Sequence, residues 1–194
     1  MLTVLLVLFL SMITSVMSTG FATVVSHCPY EVSCALVNGA DPSDPKPPVP
    51  AGPDFTVVGA NGFSGPTYRD DNVGQVIMCA KTSDIASEEI GSVEKTLLEW
   101  TYNPADGMLH WDASLVDGNP FGNEGFYIKN TNVPFGQPPP SAPNQWYKCW
   151  DTTCDAGKKC SSDQVYTNPN DDRNVTDNPM RACPPDDNLV WYIC

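Results

Sequence analysis

Three of the four carboxylates within residues 96–118 of the chain could act together. They are Glu99, Asp112 and Asp117, and Lys95 adjoins the segment. Two neighbouring carboxyl groups shift each other's pKa values apart, so one can stay protonated as an acid while the other acts as a base or nucleophile. The spacing of these residues could therefore support paired acid–base chemistry.

The segment that carries them reads as two antiparallel strands joined by a turn at residues 103–107, all of them turn formers. The register that places Trp100 opposite Trp111 gives the hairpin one apolar and one polar face. On the polar face this register puts Glu99 directly opposite Asp112, where like charges are destabilising. The chain must therefore either place a cation near these two carboxylates or use the pair for its function. The same register pairs Tyr102 with Leu109, Leu98 with Ala113 and Thr101 with His110.

The first residues of the chain resemble a targeting segment. An apolar run at residues 2–13 is followed by small residues that suit a cleavage site. The run is too short to span a bilayer, and no later segment is long and apolar enough to do so. We expect residues 1–18 to be a signal peptide and residues 19–194 to form one exported domain without a membrane span.

The net charge of −13 limits the class of partner. Nucleic acids and anionic membrane surfaces bind clusters of Lys and Arg, so a strongly acidic domain suits neither. The acidity favours solubility and attraction to cations or cationic surfaces. We expect most of these charges to form a solvated exterior.

Eight cysteines in an exported chain indicate a disulfide framework. Eight cysteines allow many pairings, and their positions alone do not choose among them. The spacing contains no CxxC motif, and the chain has two histidines, His27 and His110. We therefore expect neither a metal centre nor another cofactor.

Short apolar stretches separated by Gly and Pro predict an all-β fold with little helix. Residues 21–25, 55–58, 73–80 and 189–194 read as strands. Residues 189–194 contain no polar side chain, which predicts a central strand. By contrast, residues 61–71 read as a loop, and residues 83–90 as one or two helical turns.

Several pieces of the chain, in order, resemble the thaumatin-like proteins. SHCPYEV resembles their N-N-C-P-[YF]-x-V opening, TLLEWTY their T-L-x-E-[FYW]-T segment, and WDASLVDGNPF their Y-D-x-S-L-V-D-G-F-N segment. The tail, with VYTNPNDD and CPPDDNLVWYIC, resembles their C-terminal pattern. The match spans residues 21–194. It fits best the smaller fungal branch, the antigenic thaumatin-like (Bys) domain proteins, because the cysteine-rich lobe and the G-x-G-x-C-x-T-G-D-C signature of plant members are absent.

The resemblance implies a disulfide-stapled, flattened β-sandwich with a charged cleft. It implies that the cleft is lined by Glu99, Asp112, Asp117, Asp171 or Asp172, and the cleft arginine Arg69. It also implies the disulfides Cys28–Cys194, Cys149–Cys183 and Cys154–Cys160, which leave Cys34 to pair with Cys79.

The resemblance implies work outside the cell, and three uses of the acidic cleft remain open. We favour binding of cell-wall glycan or of a host or competitor surface by a monomer. Some family members hydrolyse β-1,3-glucans, a reaction for which Glu99 and Asp112 would be the catalytic pair. The missing lobe, which forms one wall of the plant cleft, argues against that use. The carboxylates could also be structural, as in a turn at Asp117, within a cell-wall component.

Two surface features depend on single residues. Asn174 begins the one Asn-Val-Thr glycosylation sequon of the chain and is predicted to carry a glycan. Trp146 and Trp150 lie in a predicted loop, and we expect these two tryptophans to be exposed, where they could stack on sugar rings.

Overall fold

The chain forms two β-sheets, and the computed structural model describes residues 20–39, 55–57, 63–69, 72–85, 90–131, 149–169 and 179–194. The strands of the described residues are β1 (Phe21–Ser26), β2 (Val32–Asn38), β3 (Phe55–Val57), β4 (Phe63–Thr67), β5 (Gln75–Lys81), β6 (Thr96–Asn103), β7 (Met108–Ser114), β8 (Phe126–Asn130), β9 (Thr152–Cys154), β10 (Arg181–Cys183) and β11 (Leu189–Ile193). Helix is limited to α1 (Thr82–Ile85) and a 3-10 turn at Ile90–Ser92 in this part of the chain. Neither described helix has the length and apolar character that crossing a membrane requires.

The two sheets share one hydrophobic core. One sheet has the strand order β4-β1-β11-β8-β9, and the other has the order β10-β7-β6-β5-β2-β3. Side chains from both sheets meet in the core, among them the fully buried Trp111, Ile77, Trp191 and Ile128. The predicted all-β fold with little helix is therefore confirmed.

Two strands show where the sequence pattern was reliable and where it failed. β11 was predicted to be central, and it is the middle strand of its sheet, parallel to β1 and antiparallel to β8. The loop predicted for residues 61–71 was wrong, because β4 pairs with β1 there. β4 contains Pro66, and an edge strand tolerates a proline because its outer side needs no ladder donor.

The four predicted disulfides all form, and they leave no free cysteine. They are Cys28–Cys194, Cys34–Cys79, Cys149–Cys183 and Cys154–Cys160. Cys34 and Cys79 face each other directly across β2 and β5. One group of described residues has metal-ligand spacing, Cys149, Cys183 and Asp187, but its two sulfurs are bonded to each other, so it offers a single donor.

The hairpin of β6 and β7 has the predicted register. Glu99 pairs with Asp112, and Trp100 pairs with Trp111. The turn fixes this register through its own hydrogen bonds, because Asn103 Oδ1 accepts from Ala105 N at 3.0 Å and Asp106 Oδ1 accepts from Met108 N at 3.0 Å. The two tryptophans are buried on the inner face, which leaves the two carboxylates on the outer face.

Candidate functional site

Glu99 and Asp112 lie side by side on the outer face of the six-stranded sheet. Alternation along β6 buries Leu98 and Trp100 and leaves Glu99 half-buried on the other side. Asp112 also points outward, yet it is only 8% exposed. The two carboxyl-bearing positions are direct cross-strand neighbours, with Cβ atoms expected at roughly 4.5–5.5 Å from each other.

A segment centred on Tyr166 lies beside the end of β7 at the edge of the sheet. Tyr166 forms a parallel bridge with Ser114, the last residue of that strand. Its N–H donates to Ala113 O at 2.8 Å, and its carbonyl accepts from Leu115 N at 2.7 Å. Tyr166 also lines the same hollow as Glu99 and Asp112, so this segment forms part of the wall beside the carboxylates.

Two adjoining hollows form a groove over the carboxylates, which we name the acidic groove. The first, of about 350 Å³, is lined among others by Glu99, Asp112, Asp117, Val116, Tyr166 and Met180. The second, of about 290 Å³, is lined among others by Gln75, Thr101, His110, Glu99, Asp112 and Met180. Because Glu99, Asp112 and Met180 line both hollows, the acidic groove is continuous across them.

A buried lysine balances the charge of Asp117. Lys95 Nζ lies 3.1 Å from Asp117 Oδ2 and donates to Gly91 O at 2.9 Å. The predicted turn follows at Gly118, whose φ of 124° is in the region that favours glycine. A Cβ at this glycine would lie 1.9 Å from Glu94 Cγ, so the turn is closely packed. Lys95, the basic residue that adjoins the hairpin in the sequence, thus forms its ion pair with Asp117.

A second cation, Arg181, interacts electrostatically with Asp112. Arg181 is fully buried on β10, and its guanidinium donates to Pro179 O and, at 2.8 Å, to Asp163 O. Burial lowers the pKa of Arg181 to about 10, while the negative charges of Asp163 and Asp112 oppose this shift. The side chain is thus still charged at neutral pH. The sequence pattern did not single out Arg181, because its approach to Asp112 depends on the pairing of β10 with β7.

Three further residues were predicted to line the cleft, and the structure describes one of them, Arg69. Arg69 is exposed after β4 and lines neither hollow. Asp171 and Asp172 lie outside the described residues, although their chain neighbours Asn168 and Pro169 line the acidic groove. Roles for Arg69, Asp171 and Asp172 stay predictions. The arginine that interacts with a carboxylate of the acidic groove in the structure is Arg181, through Asp112.

Glu99 differs from the other two carboxyl groups of the acidic groove. No hydrogen bond or ion pair joins its side chain to another side chain in the described part of the chain. Burial raises the pKa of Glu99, and the nearby charge of Asp117 raises it further. Asp112 and Asp117 thus each lie near a cation. Glu99, by contrast, keeps its proton to a higher pH than an ordinary glutamate does.

We expect Glu99→Gln to raise the thermal unfolding temperature at pH 7 and to leave it unchanged near pH 3. The folded-state pKa of Glu99 is raised, so ionisation in the folded state carries a cost that the unfolded chain lacks. This loss of stability is absent below the ordinary pKa of glutamate, grows as the pH rises, and is complete above the raised pKa. Scanning calorimetry between pH 3 and pH 8 measures the difference.

The exposed Glu31→Gln variant is the matched control for this experiment, since Glu31 lies outside the acidic groove. It should change the unfolding temperature little at any pH. If Glu99→Gln also followed the wild type at every pH, the raised pKa of Glu99 would be refuted.

Comparisons with known proteins identify the fold. No protein-family model matches the chain, and no curated protein matches it. Among solved structures, the chain is similar to the protein elicitor MoHrip2 from Magnaporthe oryzae, with 17% identity over 90% of this chain and 98% of that chain and a TM-score of 0.57. The thaumatin-like xylanase inhibitor TLXI is 14% identical over 89% of this chain and 98% of that chain, with a TM-score of 0.49. The architecture and the likeness to MoHrip2 confirm the predicted fold class, a disulfide-stapled β-sandwich of the thaumatin-like type.

Proposed function

We propose that this chain is an exported protein that binds a neutral cell-wall glycan in the acidic groove. The observation that carries the proposal is the meeting of Glu99, Asp112 and Asp117 in one groove that Val116 and Met180 also line. Carboxylates accept short, strong hydrogen bonds from hydroxyl groups, which every sugar ring presents. The groove therefore offers acceptors of the kind that bind a glycan.

The exposed apolar side chains of the groove support the same ligand class. Four large apolar side chains are exposed among the described residues, and two of them, Val116 and Met180, line the acidic groove at 38% and 39% exposure. The C–H faces of sugar rings are apolar and would pack against such side chains. A ligand with apolar faces and a hydroxyl rim matches this combination better than a charged one does.

The proposal places the protein at an extracellular surface. Four disulfides are typical of chains that fold in an oxidising, exported environment. Membership of the fungal antigenic thaumatin-like branch, a signal peptide at residues 1–18, a single domain at residues 19–194 and a glycan on Asn174 are parts of this proposal. The fold of the elicitor MoHrip2 agrees with a role at a cell wall or at a host or competitor surface.

We expect the wild-type protein to be retained on insoluble β-1,3-glucan and Met180→Ser to bind about tenfold more weakly. The substitution removes an exposed apolar side chain that lines both hollows, and a tenfold change corresponds to about 1.4 kcal/mol of binding energy. Pull-down at graded protein concentrations measures the affinity. Glu99→Ala should weaken binding to a similar degree through loss of a hydrogen-bond acceptor.

The control for the pull-down is Phe21→Ser. Phe21 is exposed to a similar extent, 37%, but lies on β1 of the other sheet. It should bind as the wild type does. Recovery of the wild-type protein entirely in the supernatant would overturn the proposal.

Hydrolysis of the bound glycan is a second candidate function, and the raised pKa of Glu99 favours it. A glycosidase needs one protonated carboxyl group and one carboxylate, and here these would be Glu99 and Asp112. Release of reducing sugar from laminarin by wild type but not by Glu99→Gln would establish hydrolysis, and release no higher than a blank would exclude it.

A further inference from the structure

A third hollow, which we name the Trp150 hollow, lies outside the acidic groove. It has a volume of about 480 Å³, and Trp150 lines it together with Asp151, Asp155, Lys158 and Gln164. Pockets of this size accommodate small ligands. The guanidinium carbon of Arg181 lies 5.3 Å from the centroid of the Trp150 ring, so the indole packs against a buried cation.

The polar side chains of this hollow are held by local contacts. Asp151 Oδ1 accepts a hydrogen bond from Asn130 N at 2.9 Å, and Gln164 Oε1 accepts one from Thr153 N at 3.2 Å. The Cys154–Cys160 disulfide closes the loop that carries Asp155 and Lys158. Side chains that are already ordered lose little conformational freedom when a ligand binds, so the hollow is suited to recognition.

The charges of this hollow balance each other. Two acids, Asp151 and Asp155, face two lysines, Lys158 and Lys159, and Lys158 Nζ lies 2.9 Å from Asp155 Oδ2. In a chain with a net charge of −13, this balance is a local departure from the acidic surface. A neutral ligand fits such a site better than an anion or a cation, since neither is attracted on balance.

We propose that the Trp150 hollow is a second saccharide subsite, which binds a neutral pyranose ring. The indole of Trp150 would stack on the C–H face of the sugar, while the carboxylate, amide and ammonium groups around it would bond to the hydroxyls. The proposal rests on the proposed function only for the ligand class. Its residues are separate from those that line the acidic groove.

The indole N–H resonance of Trp150 in ¹⁵N-labelled wild-type protein tests this proposal. It is assigned by its disappearance in Trp150→Phe. We expect it to shift saturably on addition of at least one of three hexasaccharides, the β-1,3-glucan, the β-1,4-glucan and the chitin oligomer. We also expect Trp150→Ala to weaken binding of that hexasaccharide about tenfold, while Phe21→Ala leaves it unchanged.

Met180→Ser separates this proposal from that of the acidic groove, because it changes a side chain of the groove and none that lines the Trp150 hollow. A Trp150 shift that persists in Met180→Ser, with unchanged affinity, would support the second subsite and refute the groove. Loss of binding in Met180→Ser together with an unmoved Trp150 resonance in the wild type would refute the subsite and support the groove. Since the wild-type titration needs only Trp150→Phe, and that for the assignment, failure of Trp150→Ala to fold would leave the measurement decisive.

Discussion

Replacement of Cys28 and Cys194 by alanine is expected to lower the free energy of unfolding by about 5 kcal/mol. The bridge joins residues 166 apart in sequence, so it restricts the unfolded chain strongly. In the folded state it ties β1 to the end of β11, its parallel neighbour in the sheet. Because small domains unfold with a total free energy of roughly 5–15 kcal/mol, this one change should leave the protein marginally stable.

The short disulfide Cys154–Cys160 is the matched control. Its cysteines are 6 residues apart, and the same loop-closure argument gives about 2 kcal/mol for its removal. Urea unfolding of both double-alanine variants under non-reducing conditions measures the two losses. Equal losses would contradict the view that constraint of the unfolded chain dominates.

Arg181→Met is expected to cost about 3–5 kcal/mol of unfolding free energy at pH 7. Methionine fills much of the same volume but leaves the buried Asp112 without the cation that interacts with it. The carbonyl groups of Pro179 and Asp163 also lose the donors that the guanidinium supplies. An uncompensated buried charge is the largest of these costs.

A double variant isolates the contribution of the charge. Adding Asp112→Asn to Arg181→Met removes the stranded carboxylate, so the double variant should be more stable than Arg181→Met alone. Lys129→Met, at an exposed position of β8, controls for loss of a surface charge and should change stability little. If the two substitutions of the double variant each lowered stability additively, Arg181 would not be the cation that balances Asp112.

The hairpin could be predicted almost completely because its information is local. Alternation of apolar and polar residues along β6 and β7 sets the buried face, and the turn residues between them fix the register. That register alone placed Glu99 opposite Asp112. By contrast, Gly62 and Gly65 indicated a loop at residues 61–71, whereas β4 forms there as an edge strand, where its Pro66 is tolerated.

The cations of the site show the limit of the sequence pattern. Lys95 directly precedes β6 and Asp117 follows β7, so the predicted hairpin itself brings these two residues together as an ion pair. Arg181 is distant from Asp112 in sequence and meets it only because β10 pairs with β7 at the end of the six-stranded sheet. Such a contact depends on strand order, which residue types do not encode. The resemblance implied Arg69 as the cleft arginine, and that role stays a prediction.

The methyl resonance of Met180 tests most directly whether the acidic groove binds glycan. Met180 is exposed and lines both hollows, whereas Met78, half-buried, packs against Ala35 and Ile90. In wild-type protein labelled with ¹³C at the methionine methyl groups, titration with a β-1,3-gluco-hexasaccharide should shift Met180 saturably and leave Met78 in place. A Met180 resonance that stays unmoved at the highest soluble concentration of the sugar would contradict the proposal that the acidic groove binds glycan.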